Sequence, residues 1–136
     1  MSLLDELYCT IDVESREISI PPGLEIVGVE SDENVTVRKF IMPYEYDDFD
    51  LSTFSCRVNF ENADGTKGVY SVTDAVKSDG DIVFSWMLSR TAMAKAGALK
   101  FVICMIKHTP DGKATNEWNS TQGQFIVLEG LNVEEG

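Results

Sequence analysis

The sequence predicts an all-β domain, a sandwich of about seven to nine antiparallel strands with one short helical crossing. Three observations carry that expectation. Short runs of alternating or continuous apolar residues recur along the 136-residue chain, each stopped by Gly, Pro, Asn or Asp. Two very apolar stretches, Ile82–Leu88 and Ala98–Lys107, flank a connection of small residues, as two central strands would. Helical periodicity is found in one place only, and it spans about two turns at most.

In chain order, Leu7–Asp12 alternates Tyr8, Thr10 and Asp12 against Leu7, Cys9 and Ile11, and Glu17–Ile20 follows before Pro21-Pro22-Gly23. The two runs read as a first hairpin. Leu24–Val29 is apolar enough for a further extended segment, and the acidic turn Glu30–Asn34 leads into Val35–Met42. Phe54–Glu61 is the cleanest strand, with Phe54, Cys56, Val58 and Phe60 on one face and Ser55, Arg57, Asn59 and Glu61 on the other. Asn62-Ala63-Asp64-Gly65 turns the chain, because glycine accepts the positive φ of a tight hairpin. Lys67–Val76 then returns as one strand, and Ser78-Asp79-Gly80-Asp81 makes the next turn before Ile82–Leu88. Arg90–Ala96 carries the helical signal, Ala-rich and stopped by Gly97, and is expected to cross between sheets.

Within Ala98–Lys107, Leu99, Phe101, Ile103 and Met105 share one face, and Val102, Cys104 and Ile106 the other. Thr109-Pro110-Asp111-Gly112 is a turn, and Thr115–Ser120 and Gln124–Leu128 are the last strands. Asn132–Glu135 reads as the start of a linker. No repeat or second-domain boundary is visible, so residues 1–136 read as one domain. Met1–Leu3 and Glu135–Gly136 read as cloning-derived ends and carry no weight.

Eleven basic residues face 23 acidic ones, a formal charge of −12. Nucleic acid and anionic membranes both require clustered Lys and Arg, so both are disfavoured as partners. The N-terminus lacks a basic stretch ahead of an apolar one, and no apolar run approaches the ~20 residues of a membrane span. The expected place of synthesis is therefore the cytoplasm, without a secretion signal. Cys9, Cys56 and Cys104 are widely and irregularly spaced, and no CxxC occurs. Cys56 and Cys104 facing each other across the sandwich is one arrangement, but the antibody pattern places a Trp soon after its first Cys, and Trp86 falls about thirty residues later. Reduced, buried thiols are favoured.

Candidate chemistry is sparse. His108 is the single histidine and stands beside a turn with nothing nearby in sequence to orient it. Cys104 is four residues away, ~13 Å along a strand, too far for contact. Glu30–Asp32–Glu33, Asp47–Asp48–Asp50 and Asp79–Asp81 all fall in expected turns, where carboxylates are usually solvated or form the turn itself. No phosphate loop or dinucleotide fingerprint is present. No catalytic residue and no cofactor are expected. Tyr44-Glu45-Tyr46-Asp47-Asp48-Phe49-Asp50 packs four carboxylates into seven residues. Asp47, Asp48 and Asp50 make it a weak Ca²⁺ candidate, lacking the EF-hand order and its glycine. Its aromatics, Tyr44, Tyr46 and Phe49, suit a protein partner, a glycan or simple strand-edge packing.

Taken nearly end to end, the chain resembles a family of small structural proteins from phages and prophages of Firmicutes, in particular the immunoglobulin-like N-terminal domain of upper baseplate or tail-tip proteins. The resemblance runs through LYCTIDVESREISIPPGLEIVGVESDENV (Leu7–Val35), FDLSTFSCRVNFENADG (Phe49–Gly65), IVFSWMLSR (Ile82–Arg90), GALKFVICMIK (Gly97–Lys107), NEWNS (Asn116–Ser120) and VLEGL (Val127–Leu131). It implies an immunoglobulin-like sandwich and a virion component without a catalytic residue, and it carries no functional motif to transfer. Trp86 and Trp118 stand out in the pattern, and a core or strand-edge role suits both. The expected partners are other tail or baseplate proteins, or further copies of the chain, docked through exposed strand edges and turn loops. The alternative is a host-surface carbohydrate-binding module, Ca²⁺-dependent, acting through Tyr44, Tyr46 and Asp47–Asp50.

Overall fold

The computed structural model describes residues 7–131. The expected linker start at Asn132–Glu135, Met1–Leu3 and Glu135–Gly136 lie outside them. The described residues form thirteen strand segments: β1 (Tyr8–Ile11), β2 (Ile18–Ser19), β3 (Ile26–Val29), β4 (Val37–Pro43), β5 (Glu45–Tyr46), β6 (Phe49–Asp50), β7 (Ser55–Glu61), β8 (Lys67–Ser71), β9 (Val76–Ser78), β10 (Asp81–Met87), β11 (Gly97–His108), β12 (Ala114–Asn119) and β13 (Gly123–Leu128). The all-β expectation holds. Sheet I runs β2-β1-β4-β10-β9, sheet II runs β3-β13-β11-β7-β8 with β12 also on β11, and β5-β6 form a separate hairpin.

The two sheets meet through aromatic rings. Phe40 and Trp86 belong to sheet I, and Phe60, Phe101 and Phe125 to sheet II. Trp86 lies 5.7 Å from Phe60 and 5.3 Å from Phe101, and Phe40 lies 5.8 Å from Phe101. These residues belong to one buried cluster with Cys9, Val58, Ile103 and Met105, so burial of the two inner faces is the main favourable term. The alternation read in Phe54–Glu61 is the reason β7 fits: Cys56, Val58 and Phe60 are all buried. Two glycines complete the inner face. A side chain at Gly68 or Gly123 would strike the ring of Phe60 or Phe101, at 2.4 and 2.6 Å. Each ring covers the glycine directly opposite it on the neighbouring strand.

Four expectations are corrected. The described residues hold thirteen strand segments rather than about seven to nine strands. The strands are not all antiparallel: β1 runs parallel to β4, and β3 parallel to β13. Arg90–Ala96 does cross from sheet I to sheet II, but as turns rather than a helix. Met93 N–H reaches Ser89 C=O in a single helical turn, and other partners then take the groups a second turn would use. Met93 C=O accepts from Ser31 N–H, and Ala96 N–H donates to the Glu30 carboxylate. Lys67–Val76 is two strands in different sheets. β8 pairs with β7, the chain crosses at Val72–Ala75, and β9 pairs with β10. Asp74 holds that crossing by accepting from Ser85 N–H at 3.1 Å.

The three expected glycine turns, at Asn62–Gly65, Ser78–Asp81 and Thr109–Gly112, all join hairpins. Gly65 has φ +85°, and Asn62, only 4% exposed, braces its turn by accepting from Asp64 and Thr66 N–H and donating to Thr91 C=O. Asp79-Gly80 joins β9 to β10 as a two-residue loop. β12 and β13 lie end to end along one side of β11, separated by Ser120–Gln122, where Ser120 Oγ accepts from Ile103 N–H.

Candidate functional site

The acidic hairpin β5-β6 places its conspicuous side chains against the body of the protein. Asp47 takes a positive φ at the tip, and Asp47 and Asp48 face solvent. Asp50 points the other way. Its carboxylate caps the 3-10 turn Leu51–Thr53 by accepting from Ser52 N–H and Oγ, and it meets Lys77 Nζ at 3.1 Å. The Ser52 hydroxyl first, and Lys77 with it, hold the Asp50 carboxyl below its ordinary value. Asp47, Asp48 and Asp50 therefore do not converge, and among the described residues no group of three acidic, His or Cys side chains is arranged to hold a metal ion.

The aromatic members are likewise occupied. Lys77 Nζ lies 4.0 Å above the Tyr44 ring. Tyr46 and Trp118 meet edge-on at 6.5 Å, and Arg16 packs on both, 5.1 and 5.2 Å from their ring centres. The same guanidinium donates to Tyr46 Oη at 2.8 Å and to Asn119 C=O at 3.2 Å. Phe49 packs edge-on against Phe54 at 5.9 Å and remains 37% exposed. The hairpin is thus a brace tying the β1–β2 loop, the start of β7 and strand β12 together, with Phe49 its most open apolar group.

The other sequence candidates stay apart. His108 ends β11, exposed, beside a register shift to β12. All three cysteines are free and buried. Cys56 and Cys104 do not face each other across the sandwich: both are in sheet II, on neighbouring strands, in adjacent rows (Cys56 opposite Met105, Cys104 opposite Arg57), hence on opposite faces. Burial pushes the Cys56 thiol up to about 12 and the Cys9 thiol up to about 11, which removes both as nucleophiles at neutral pH. Trp86 and Trp118 are core residues. Their Nε1 groups have no hydrogen-bond acceptor among the described residues, and Trp86 is enclosed by Phe60, Phe101 and Phe125.

A broad concavity lies where the sequence pointed to nothing. The outer face of sheet II forms a groove of ≈ 730 Å³. Val102, Cys104 and Ile106 of β11 floor it, and Arg57, Glu61, Lys67, Lys100 and Glu117 rise around it from four strands. Cys104 and Ile106 are 1% and 3% exposed, although they face away from the sandwich core. The long side chains of Arg57 and Glu117 flank them in register and cover them, an apolar floor under charged walls. Burial and the neighbouring Glu117 raise the Cys104 thiol, against a smaller opposing effect of Arg57. Arg57, Lys67 and Lys100 form no salt bridge among the described residues, in a chain of net charge −12. The signal for this groove was the second apolar face of β11. In a two-sheet protein one face of each strand meets the core, so apolar residues on both faces mark a surface beyond it.

Among the described residues no helix is long and apolar enough to cross a membrane. No protein-family model and no curated protein matches the chain.

Proposed function

We propose that the chain is an immunoglobulin-like sandwich serving as a non-enzymatic structural module of a phage or prophage virion, in the tail or baseplate, and working by protein–protein docking. It is made in the host cytoplasm and reaches its place by assembly into the particle. One observation carries the docking reading. Asp50, Arg16, Tyr46 and the thiols are committed within the fold, while the charged groove on the outer face of sheet II and the strand edge beside it are left open. Asp50 caps and pairs, Arg16 and Tyr46 brace, and the thiols are buried. An open, preformed sheet surface suits rigid docking rather than folding on binding. The virion assignment is supported by the sequence resemblance.

Glycan binding through Tyr44 and Tyr46 is the less favoured reading, since stacking on a sugar needs a free ring face and Lys77 and Arg16 occupy those rings. Peptide mass spectrometry on purified particles from the source strain tests the virion reading. The expected result is this chain at a fixed copy number per particle. Its absence from particles, with the protein abundant in the cell, overturns the assignment.

A further inference from the structure

We propose that a second copy of this chain pairs with β8, edge to edge and antiparallel, joining two copies of sheet II into one continuous sheet about a two-fold axis at Val69. The proposal starts from the five edges of sheets I and II, which are not equivalent. The β12 edge carries a register shift between Ala114 and Asn116, and its Asn119 carbonyl accepts from the Arg16 guanidinium at 3.2 Å. Sheet I ends in β2 and β9, of two and three residues. The β3 edge of sheet II is broken by the shift at Val27-Gly28, and its outward carbonyls, Leu24 and Ile26, accept from the Arg38 guanidinium at 2.9 and 2.7 Å. Short, bulged or capped edges resist pairing with another chain. β8 has none of these devices: five residues, no proline and no register shift.

The phase of the β7–β8 ladder shows which groups are free. Val72 N–H donates to Cys56 C=O and Asn62 N–H to Thr66 C=O. Residues that exchange both bonds alternate along an antiparallel pair, so in the observed register Val58 bonds Tyr70 and Phe60 bonds Gly68. Lys67, Val69 and Ser71 therefore turn N–H and C=O away from β7, and no partner for these groups exists among the described residues. Val69 is 57% exposed.

A second copy fits that edge better than an arbitrary strand does, because the edge is complementary to itself. With the axis at Val69, Val69 exchanges both backbone bonds with Val69 of the second copy, and Lys67 and Ser71 exchange theirs with Ser71 and Lys67. The outer face then sets Val69 against Val69 and lysine against serine, so no like charges are opposed. Row by row, Glu61, Lys67, Ser71 of the second copy and Arg57 of the second copy lie side by side. On the inner side, Tyr70 of each copy comes beside Gly68 of the other, the pairing of aromatic with glycine already seen for Phe60 and Phe101. The contact is isologous and closes at two copies.

Sedimentation equilibrium of the full chain across a wide concentration range tests the proposal. The wild type is expected to move from monomer to dimer with rising concentration. Val69→Pro removes only an outward N–H, at a position where edge strands tolerate proline, and should weaken association about tenfold or more with unchanged circular dichroism. A wild type that stays monomeric throughout, or a folded Val69→Pro chain that dimerises as before, overturns the proposal. Val69→Cys decides the matter if the proline variant does not fold. Mild oxidation should cross-link Val69→Cys through its engineered thiol, while Val76→Cys, equally exposed at the other sheet's β9 edge, should not cross-link; equal cross-linking of both, or of neither, overturns it. Failure here leaves the virion reading standing, and absence from particles leaves the dimer standing.

Discussion

The β5-β6 hairpin and the outer face of sheet II are both rich in charge, and they handle it in opposite ways. In the hairpin, Asp50 and the tyrosines find partners within the chain, and only the tip carboxylates Asp47 and Asp48 with Glu45 are left to solvent. Asp50 meets Lys77 and Ser52, Tyr46 meets Arg16, and Tyr44 lies under Lys77. On sheet II, Arg57, Lys67 and Lys100 rise from three neighbouring strands around an apolar floor and close no salt bridge among the described residues. Density of functional-looking residues is therefore a poor guide to an open surface. A cluster close in sequence readily folds into mutual or neighbouring contacts, whereas a surface assembled from β7, β8, β11 and β12 by long-range pairing can be left unpartnered.

If that contrast is right, hairpin substitutions should act on stability and sheet II substitutions on surface chemistry. The largest effect is expected from Tyr46→Ala, which removes a ring packed on both Arg16 and Trp118 and an accepting hydroxyl, for a loss of about 2 kcal/mol in urea unfolding. Self-association should be unchanged, and a variant of full stability would break the comparison. Arg16→Ala should cost somewhat less, about 1–2 kcal/mol, by the same measurement.

Asp50→Asn should lower the melting temperature at neutral pH. The sign follows from its depressed carboxyl: the stabilisation is present above the unfolded carboxylate value and is lost as pH falls through the folded one. The gap between wild type and Asp50→Asn should accordingly narrow as pH is lowered from about 7 to about 3. A gap that is constant with pH would mean that the cap and the Lys77 contact contribute nothing through charge.

The smallest stability change is expected on sheet II. Arg57→Ala with Glu117→Ala should stay within about 1 kcal/mol of wild type, since the pair covers the groove rather than holding the sheets together. It should nevertheless open Cys104 to a thiol reagent under native conditions. Removing Glu117 also takes away a charge that raises the Cys104 thiol, so exposure and ionisation change in the same direction. Cys56, on the inner face, should stay unreactive until the chain unfolds. Equal labelling of Cys56 and Cys104 would dissolve the distinction between the two faces.

The parts of this architecture that sequence alone reveals are those set by near neighbours. The alternation of Phe54–Glu61, the double apolar character of Ala98–Lys107, and the turns at Asn62–Gly65 and Asp79-Gly80 are local patterns, and they became β7, β11 and the β7–β8 and β9–β10 hairpins. What stayed illegible depends on distant partners. Alanine propensity favours a helix at Arg90–Ala96, but Glu30 and Ser31, about sixty residues earlier, take the groups the helix needs. Nothing within Lys67–Val76 announces a change of sheet, since Asp74 is anchored by Ser85 on another strand. The same holds for the site. Tyr44–Asp50 was visible as a cluster, but Arg16, Lys77 and Trp118, which close it, come from the β1–β2 loop, β9 and β12. The groove was present only as apolar residues on the second face of β11, a pattern that equally suits a covered central strand.

The parallel seam between β3 and β13 has a kinetic consequence. β3 docks on the last strand of the described chain, and Glu30 reaches across a separation of 100 residues to Gly130. During synthesis this segment has no ladder partner until the far end has left the ribosome, and closing so long a loop is entropically slow. Arg38 offers an earlier hold, because its bonds to Leu24 and Ile26 carbonyls span only 14 and 12 residues. It can tether the waiting strand near its final position while the rest of sheet II is still being made. Arg38→Ala is therefore expected to slow refolding in stopped-flow more than it accelerates unfolding; the reverse partition would place the Arg38 clamp after the rate-limiting closure.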